Sequence, residues 1–152
     1  MRVATVSDLH LDHAANRELM PALAAEVHRR GADLVVIAGD VSHRDAWIER
    51  AIRSFQVVAP RVAYVPGNHD VWQSPEALER GADTWKRYRD DLRTMSTELG
   101  AAYLPAEPLR VGKVAFVGTC GWYDYGFLLD EHRELMNAER RRSKRWERFQ
   151  WS

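Results

Sequence analysis

Six side chains able to bind a metal ion or move a proton fall into three short clusters. Asp8 and His10 stand in SDLH, Asp40 in AGD, and Asn68, His69 and Asp70 in PGNHD. Together they offer carboxylate oxygen, imidazole nitrogen and amide oxygen, and no thiolate. Such a donor set suits Mn, Fe, Zn or a related divalent ion and is unlike a structural four-cysteine site. Asp8 and His10 are two residues apart, so in extended chain both side chains point to one side and can reach one ion. Asp40, on the middle cluster, is the natural carboxylate to bridge two ions. Two ions roughly 3.5–4 Å apart can clamp a phosphoryl group and activate water for in-line attack.

Each cluster follows a short apolar run. RVATV (2–6), DLVVIAGD (33–40) and RVAYV (61–65) read as buried strands. Between them, Leu19, Leu23 and Val27 recur at helical spacing within 15–30, and Gly31 after Arg29–Arg30 marks a helix stop. RDAWIERAIRSF gives a second helix with Trp47, Ile48, Ala51 and Phe55 on one face. The order β-α-β-α-β predicts a parallel sheet with right-handed crossovers. Ligands of such sheets bind beyond the carboxyl ends of the strands, where all three clusters fall. The ordinary alternative is three polar turns, since Asp and Asn favour caps and turns. That explains one or two clusters, but not Asp-x-His, Gly-Asp and Gly-Asn-His-Asp at three successive strand ends.

Further along, one charged helix is expected from Pro75 to Leu99, stopped by Gly100. AAYL, LRV and KVAFVG then read as short strands, the last two joined as a hairpin by Gly112. GTCGWYDYGF reads as an aromatic loop, in which Trp122, Tyr123 and Tyr125 wall a pocket or pack over the sheet. From Asp130 the pattern is helical and basic, with ERRRSKRWER at 139–148.

SDLHLDH, IAGD and PGNHD, in this order and spacing, resemble the first three motifs of the calcineurin-like metallophosphoesterase family. The resemblance implies an α/β fold that forms part of an αββα sandwich. It implies hydrolysis of phosphomonoesters or phosphodiesters, of a small molecule or nucleotide, with two divalent metal ions. Carried over, Asp8 and His10 bind the first metal, Asp40 bridges both, and Asn68 binds the second. His69 sits by the scissile phosphate and donates a proton or hydrogen bond to the leaving oxygen. Asp70 orients His69.

The family's later G-H and G-H-x-H motifs have no counterpart here. Of the six histidines (10, 13, 28, 43, 69 and 132), only His132 lies beyond PGNHD, and no Gly precedes it. The expectation is thus a single domain over 1–152 that reads as truncated, with a partner chain as one source of the missing ligands. The alternative is a non-catalytic remnant that binds metal weakly. His13 beside Asp12 reads as a solvated loop histidine rather than a substrate contact, and His43 after GDVS as one more often clear of the site than approaching it.

Composition sets outer limits. The chain has 152 residues, 45% hydrophobic and 29% charged, which suits one domain with a sizeable core. Lys plus Arg and Asp plus Glu both number 22, so no net charge draws the chain to nucleic acid or anionic membrane. The basic run at 139–148 reads as a solvated helix face, which makes a nucleic-acid partner unlikely on sequence grounds. Cys120 is the single cysteine, so no internal disulfide forms. The start lacks signal-peptide character and no apolar run is long enough to span a bilayer, so a cytoplasmic location and no membrane partner are expected.

Overall fold

The computed structural model describes residues 1–121. The aromatic residues from Trp122, His132 and the basic run at 139–148 lie outside the described residues. Four parallel strands form one sheet in the order β1 (Val3–Val6), β2 (Leu34–Ala38), β3 (Val62–Val65) and β4 (Ala102–Tyr103). β5 (Leu109–Val111) and β6 (Val114–Phe116) form a separate antiparallel hairpin, with Gly112 in the left-handed region at φ 60°. The α/β reading with parallel leading strands is therefore correct, and so is the hairpin.

α1 (Ala14–Arg30) and α2 (Asp45–Gln56) pack on one face of the sheet. β-branched residues on β2 and β3 suit a strand buried on both sides. Val35, Ile37, Val62 and Tyr64 point toward the helices, where Ile48, Ala51, Ile52 and Phe55 meet them with essentially no exposure. On α1 the buried stripe is Met20, Leu23 and Val27. Leu19, expected on that stripe, is 64% exposed. The steps i, i+3, i+7 follow the helix turn, whereas two successive steps of four drift off the face.

The second face is covered differently. Leu34, Ala63 and Leu104 are buried there, with Val36, Val65, Leu109 and Phe116 half-covered. Gly118 lies so close that a Cβ would sit 2.9 Å from that of Leu104. Val3 on β1 is 42% exposed.

The single helix expected over 75–99 is divided. α3 (Asn68–Val71) follows β3 directly; then come α4 (Pro75–Glu79), α5 (Thr84–Lys86), a π turn at Arg87–Asp91 and α6 (Leu92–Glu98). The break falls at Gly81, with φ 84°, and at Asp83, whose carboxylate accepts from Trp85 N at 2.7 Å and Lys86 N at 3.1 Å. Gly100 ends α6 with φ 75°. Among the described residues no helix is long and apolar enough to cross a membrane.

Candidate metal centre

Asp8, His10 and Asp40 are the three non-glycine residues with positive φ among the described residues, at 55°, 41° and 54°. This region costs an L-residue roughly 1–2 kcal/mol, less for Asp, and such strain concentrates at functional sites. The same three side chains gather, with one donor atom of each within 4.8 Å of the others. His10 Nε2 stands 4.0 Å from Asp8 Oδ1. The expected grouping is thus present, but its cause is different. The Asp8 and His10 side chains come together with both residues in left-handed backbone rather than along an extended chain.

Backbone hydrogen bonds fix this shape. Asp8 N donates to Gly39 O at 3.1 Å, His10 N to Asp40 O at 2.9 Å, and Leu11 N to Val41 O at 2.8 Å. The loop after β1 is thereby laced to the loop after β2. Glycines are required by proximity: a Cβ on Gly39 would lie 2.8 Å from Gly67 Cα, and one on Gly67 would meet Asp40 N at 2.6 Å. That is the physical content of Gly-Asp and Pro-Gly-Asn: two turns pressed together so that the third loop reaches Asp40.

Asn68 lines a cleft of about 580 Å³ together with Asp8 and Asp40. His69 follows, its backbone N–H donating to Asp40 Oδ1 at 3.0 Å. Its imidazole stands edge-on to His10, centroids 4.7 Å apart, and against Trp72 at 3.8 Å. Burial, followed by the opposing pull of the Asp40 carboxylate, leaves the imidazole below its ordinary pKa. The neutral ring still offers one N–H donor.

Asp70 is fully buried. Its Oδ1 accepts from Val41 N at 2.7 Å and Ser42 N at 2.8 Å, and its Oδ2 from Gly67 N at 2.8 Å. The last bond is the reach-back half of a capping box at the start of α3. Asp70 therefore joins the loops after β2 and β3 through their backbones. These bonds orient the turn that carries His69 rather than its imidazole. Burial raises the carboxyl's pKa, opposed by the three N–H donors. The buried Tyr64 hydroxyl stands beside it, close enough to interact with the carboxylate though outside regular hydrogen-bond geometry. Burial, with the nearby Asp70 charge, pushes that phenol well up.

Around the site, Arg87, Asn16 and Arg17 carried no signal of their own in the sequence. Buried Arg87, presented by the π turn, donates from Nε to Asp70 O at 2.7 Å and from Nη2 to Asp45 Oδ1 at 2.7 Å. Asp12 accepts from Ser42 Oγ at 2.7 Å and lies 3.3 Å from His43 Nδ1, so His43 does reach the rim of the site. Asn16 and Arg17 hold the loop after β1 from its other side. Cys120 lines the cleft, and burial pushes its thiol up, which agrees with an inert cysteine.

The donor set and its preformed geometry fit a divalent metal ion: two carboxylates and an imidazole converge, each held in a strained conformation by neighbouring loops. A parallel sheet with oxygen and nitrogen donors gathered at three strand ends is the arrangement expected of the metallophosphoesterase class. The calcineurin-like phosphoesterase family model matches residues 1–146, and the chain belongs to that family. A similar protein is the [acyl-carrier-protein] phosphodiesterase PptH of Mycobacterium tuberculosis, 30% identical over 131 residues, which are 81% of this chain and 38% of that one. The crystal structure of phosphopantetheinyl hydrolase (PptH) from the same organism has the same fold. It superposes with a TM-score of 0.70 at 22% identity, over 99% of this chain and 55% of that one. The chain thus spans between about a third and somewhat over half of the length of these relatives.

Proposed function

We propose that this chain carries the metal-binding and proton-donating half of a phosphoester hydrolase. The observation that supports it most is the convergence of Asp8, His10 and Asp40, all three in left-handed backbone. Asp8, His10 and Asp40 hold one divalent ion, and Asp40 with Asn68 hold a second; Mn, Fe and Zn suit these donors. Bound there, the ions supply positive charge to the phosphoryl oxygens and activate water. His69 gives its N–H to the leaving oxygen. Trp72 keeps the imidazole ring from turning away, and Asp70 keeps its turn pressed against Asp40. The relative PptH is a phosphodiesterase, which favours a phosphodiester over a phosphomonoester as substrate.

The test is hydrolysis of an aryl phosphodiester by the purified chain, with and without Mn²⁺, beside Asp40→Asn. Mn²⁺-dependent turnover that the substitution removes is the expected result. A second reading rests on the ligand count, because among the described residues the second ion has Asp40 and Asn68 alone. In it the chain takes up metal weakly and turns nothing over until a partner chain supplies further ligands. Metal uptake by a folded sample without turnover would select that reading.

A further inference from the structure

The loop that carries Asp8 and His10 is held from two sides. Its N–H groups at residues 8, 10 and 11 donate to carbonyls of Gly39, Asp40 and Val41. Its carbonyls are held by α1. Asn16 Nδ2 donates to Leu9 O at 3.0 Å and to His10 O at 3.3 Å. Arg17 Nη1 donates to Leu11 O at 2.7 Å and to Asp12 O at 2.8 Å. Four consecutive carbonyls, 9 to 12, are thus met by two neighbouring side chains on the first turn of one helix.

Neither residue serves the helix that carries it. α1 begins at His13 without a side-chain cap, and no acidic residue stands in its first turn. Asn is a weak helix former because its amide competes for backbone groups, and here that competition is directed at the loop. The Arg17 guanidinium also lies over the Trp47 ring, 4.7 Å from its centroid, with Arg50 5.3 Å from the same ring. The planar fork is therefore fixed between the loop and α2. Left-handed His10, at φ 41°, is held by its own backbone bonds, its N–H donating to Asp40 O at 2.9 Å and its carbonyl accepting from His13 N at 3.0 Å, and the Asn16 amide adds to them on the same carbonyl.

We infer that Asn16 and Arg17 are positioning residues for the metal site: by holding carbonyls 9–12 they keep Asp8 and His10 in their ligating conformation before any ion binds. The inference rests on the metal-site reading above. It differs from a general stabilising role, because it predicts a loss of metal affinity in a chain that remains folded. Groups that orient metal ligands typically change affinity about 10–100-fold when removed.

The test compares the whole chain with Asn16→Asp, which keeps the shape, removes the amide donor and sets an oxygen against two carbonyls. Mn²⁺ binding is measured by calorimetry, and exchange of the Asp8, His10 and Leu11 amides is measured without metal. Expected are a dissociation constant raised about 10-fold or more, faster exchange at those three amides, and unchanged exchange in β2 and β3. Arg17→Lys, which keeps a donor and the charge, recovers part of the affinity that Arg17→Ala loses. If Asn16→Asp does not fold, Asn16→Ser, too short to reach both carbonyls, is measured in its place. A folded variant with wild-type Mn²⁺ affinity and wild-type exchange overturns the inference and leaves the metal site standing. A wild-type chain that takes up no Mn²⁺ overturns both.

Discussion

The loop after β1 and the turn after β3 present their functional side chains by opposite means. The first places Asp8 and His10 in left-handed backbone, laced to β2 through main-chain bonds. The second is one turn of right-handed helix, Asn68–Val71, with a buried carboxylate behind it and an aromatic ring against His69. Ligands need fixed positions relative to one another, and strained backbone under dense hydrogen bonding gives that. The proton-donor role proposed for His69 needs a fixed ring plane and a small freedom of approach, and the tilted contact with Trp72 gives that.

The comparison is broken most severely at Asp70, which serves both sides. Asp70→Ala leaves the N–H groups of Val41, Ser42 and Gly67 without their acceptor. Unfolding in urea is expected to show a loss of about 3 kcal/mol or more, at 1–3 kcal/mol for each buried group left unpaired. A loss under 1 kcal/mol would mean that the loops hold together without it.

The strained side is separated from the stacked side by Asp8→Gly. Glycine accepts φ 55° at no steric cost but loses more chain entropy on folding, so the metal-free chain is expected to stay within about 0.5 kcal/mol of wild type. Mn²⁺ affinity falls in the same variant by about 100-fold, at or beyond the upper end of effects at residues that merely orient ligands. Binding lost while stability is retained would show that Asp8 serves the site rather than the fold.

The stacked side is probed by Trp72→Ala. Turnover is expected to fall about 10-fold on a substrate with a poor alkoxide leaving group, a fraction of what a general acid contributes. It should fall far less on a nitrophenyl diester, whose leaving group needs no proton, and Trp72→Phe should retain most of the rate. Equal losses on both substrates would assign Trp72 a packing role. The smallest effect belongs to the far end of the same first crossover: Leu19→Gln should stay within about 0.5 kcal/mol of wild type, since the side chain is exposed. Met20→Ala, on the buried stripe of α1, should cost about 2–5 kcal/mol.

Much of this was legible in the residues. Apolar runs of four or five, each ending in a polar cluster, announce parallel strands with polar groups gathered at their carboxyl ends; Asp8, His10 and Asp40 do converge there, and Asn68 lines the same cleft as Asp8 and Asp40. What escaped was conformation that only tertiary contacts impose. The spacing of Asp8 and His10 suggested extended chain, while their left-handed turns exist because Gly39–Val41 and α1 hold both edges of the loop. The region 75–99 carries helix-forming composition throughout. It breaks at Gly81–Asp83 and bulges at Arg87–Asp91, and the buried Arg87 fork in that bulge binds Asp45 and the Asp70 carbonyl. Asp70 reads in a motif as a partner of the imidazole beside it; its backbone bonds to loops nearly thirty residues away have no local signature.

The most direct measurement is a calorimetric titration of the metal-free chain with Mn²⁺, beside Asp40→Asn. The account predicts saturable uptake by the wild-type chain at a site that the substitution destroys. Equal uptake by both, or none by a folded wild-type chain, would contradict the claim that these three strand-end loops form a metal site.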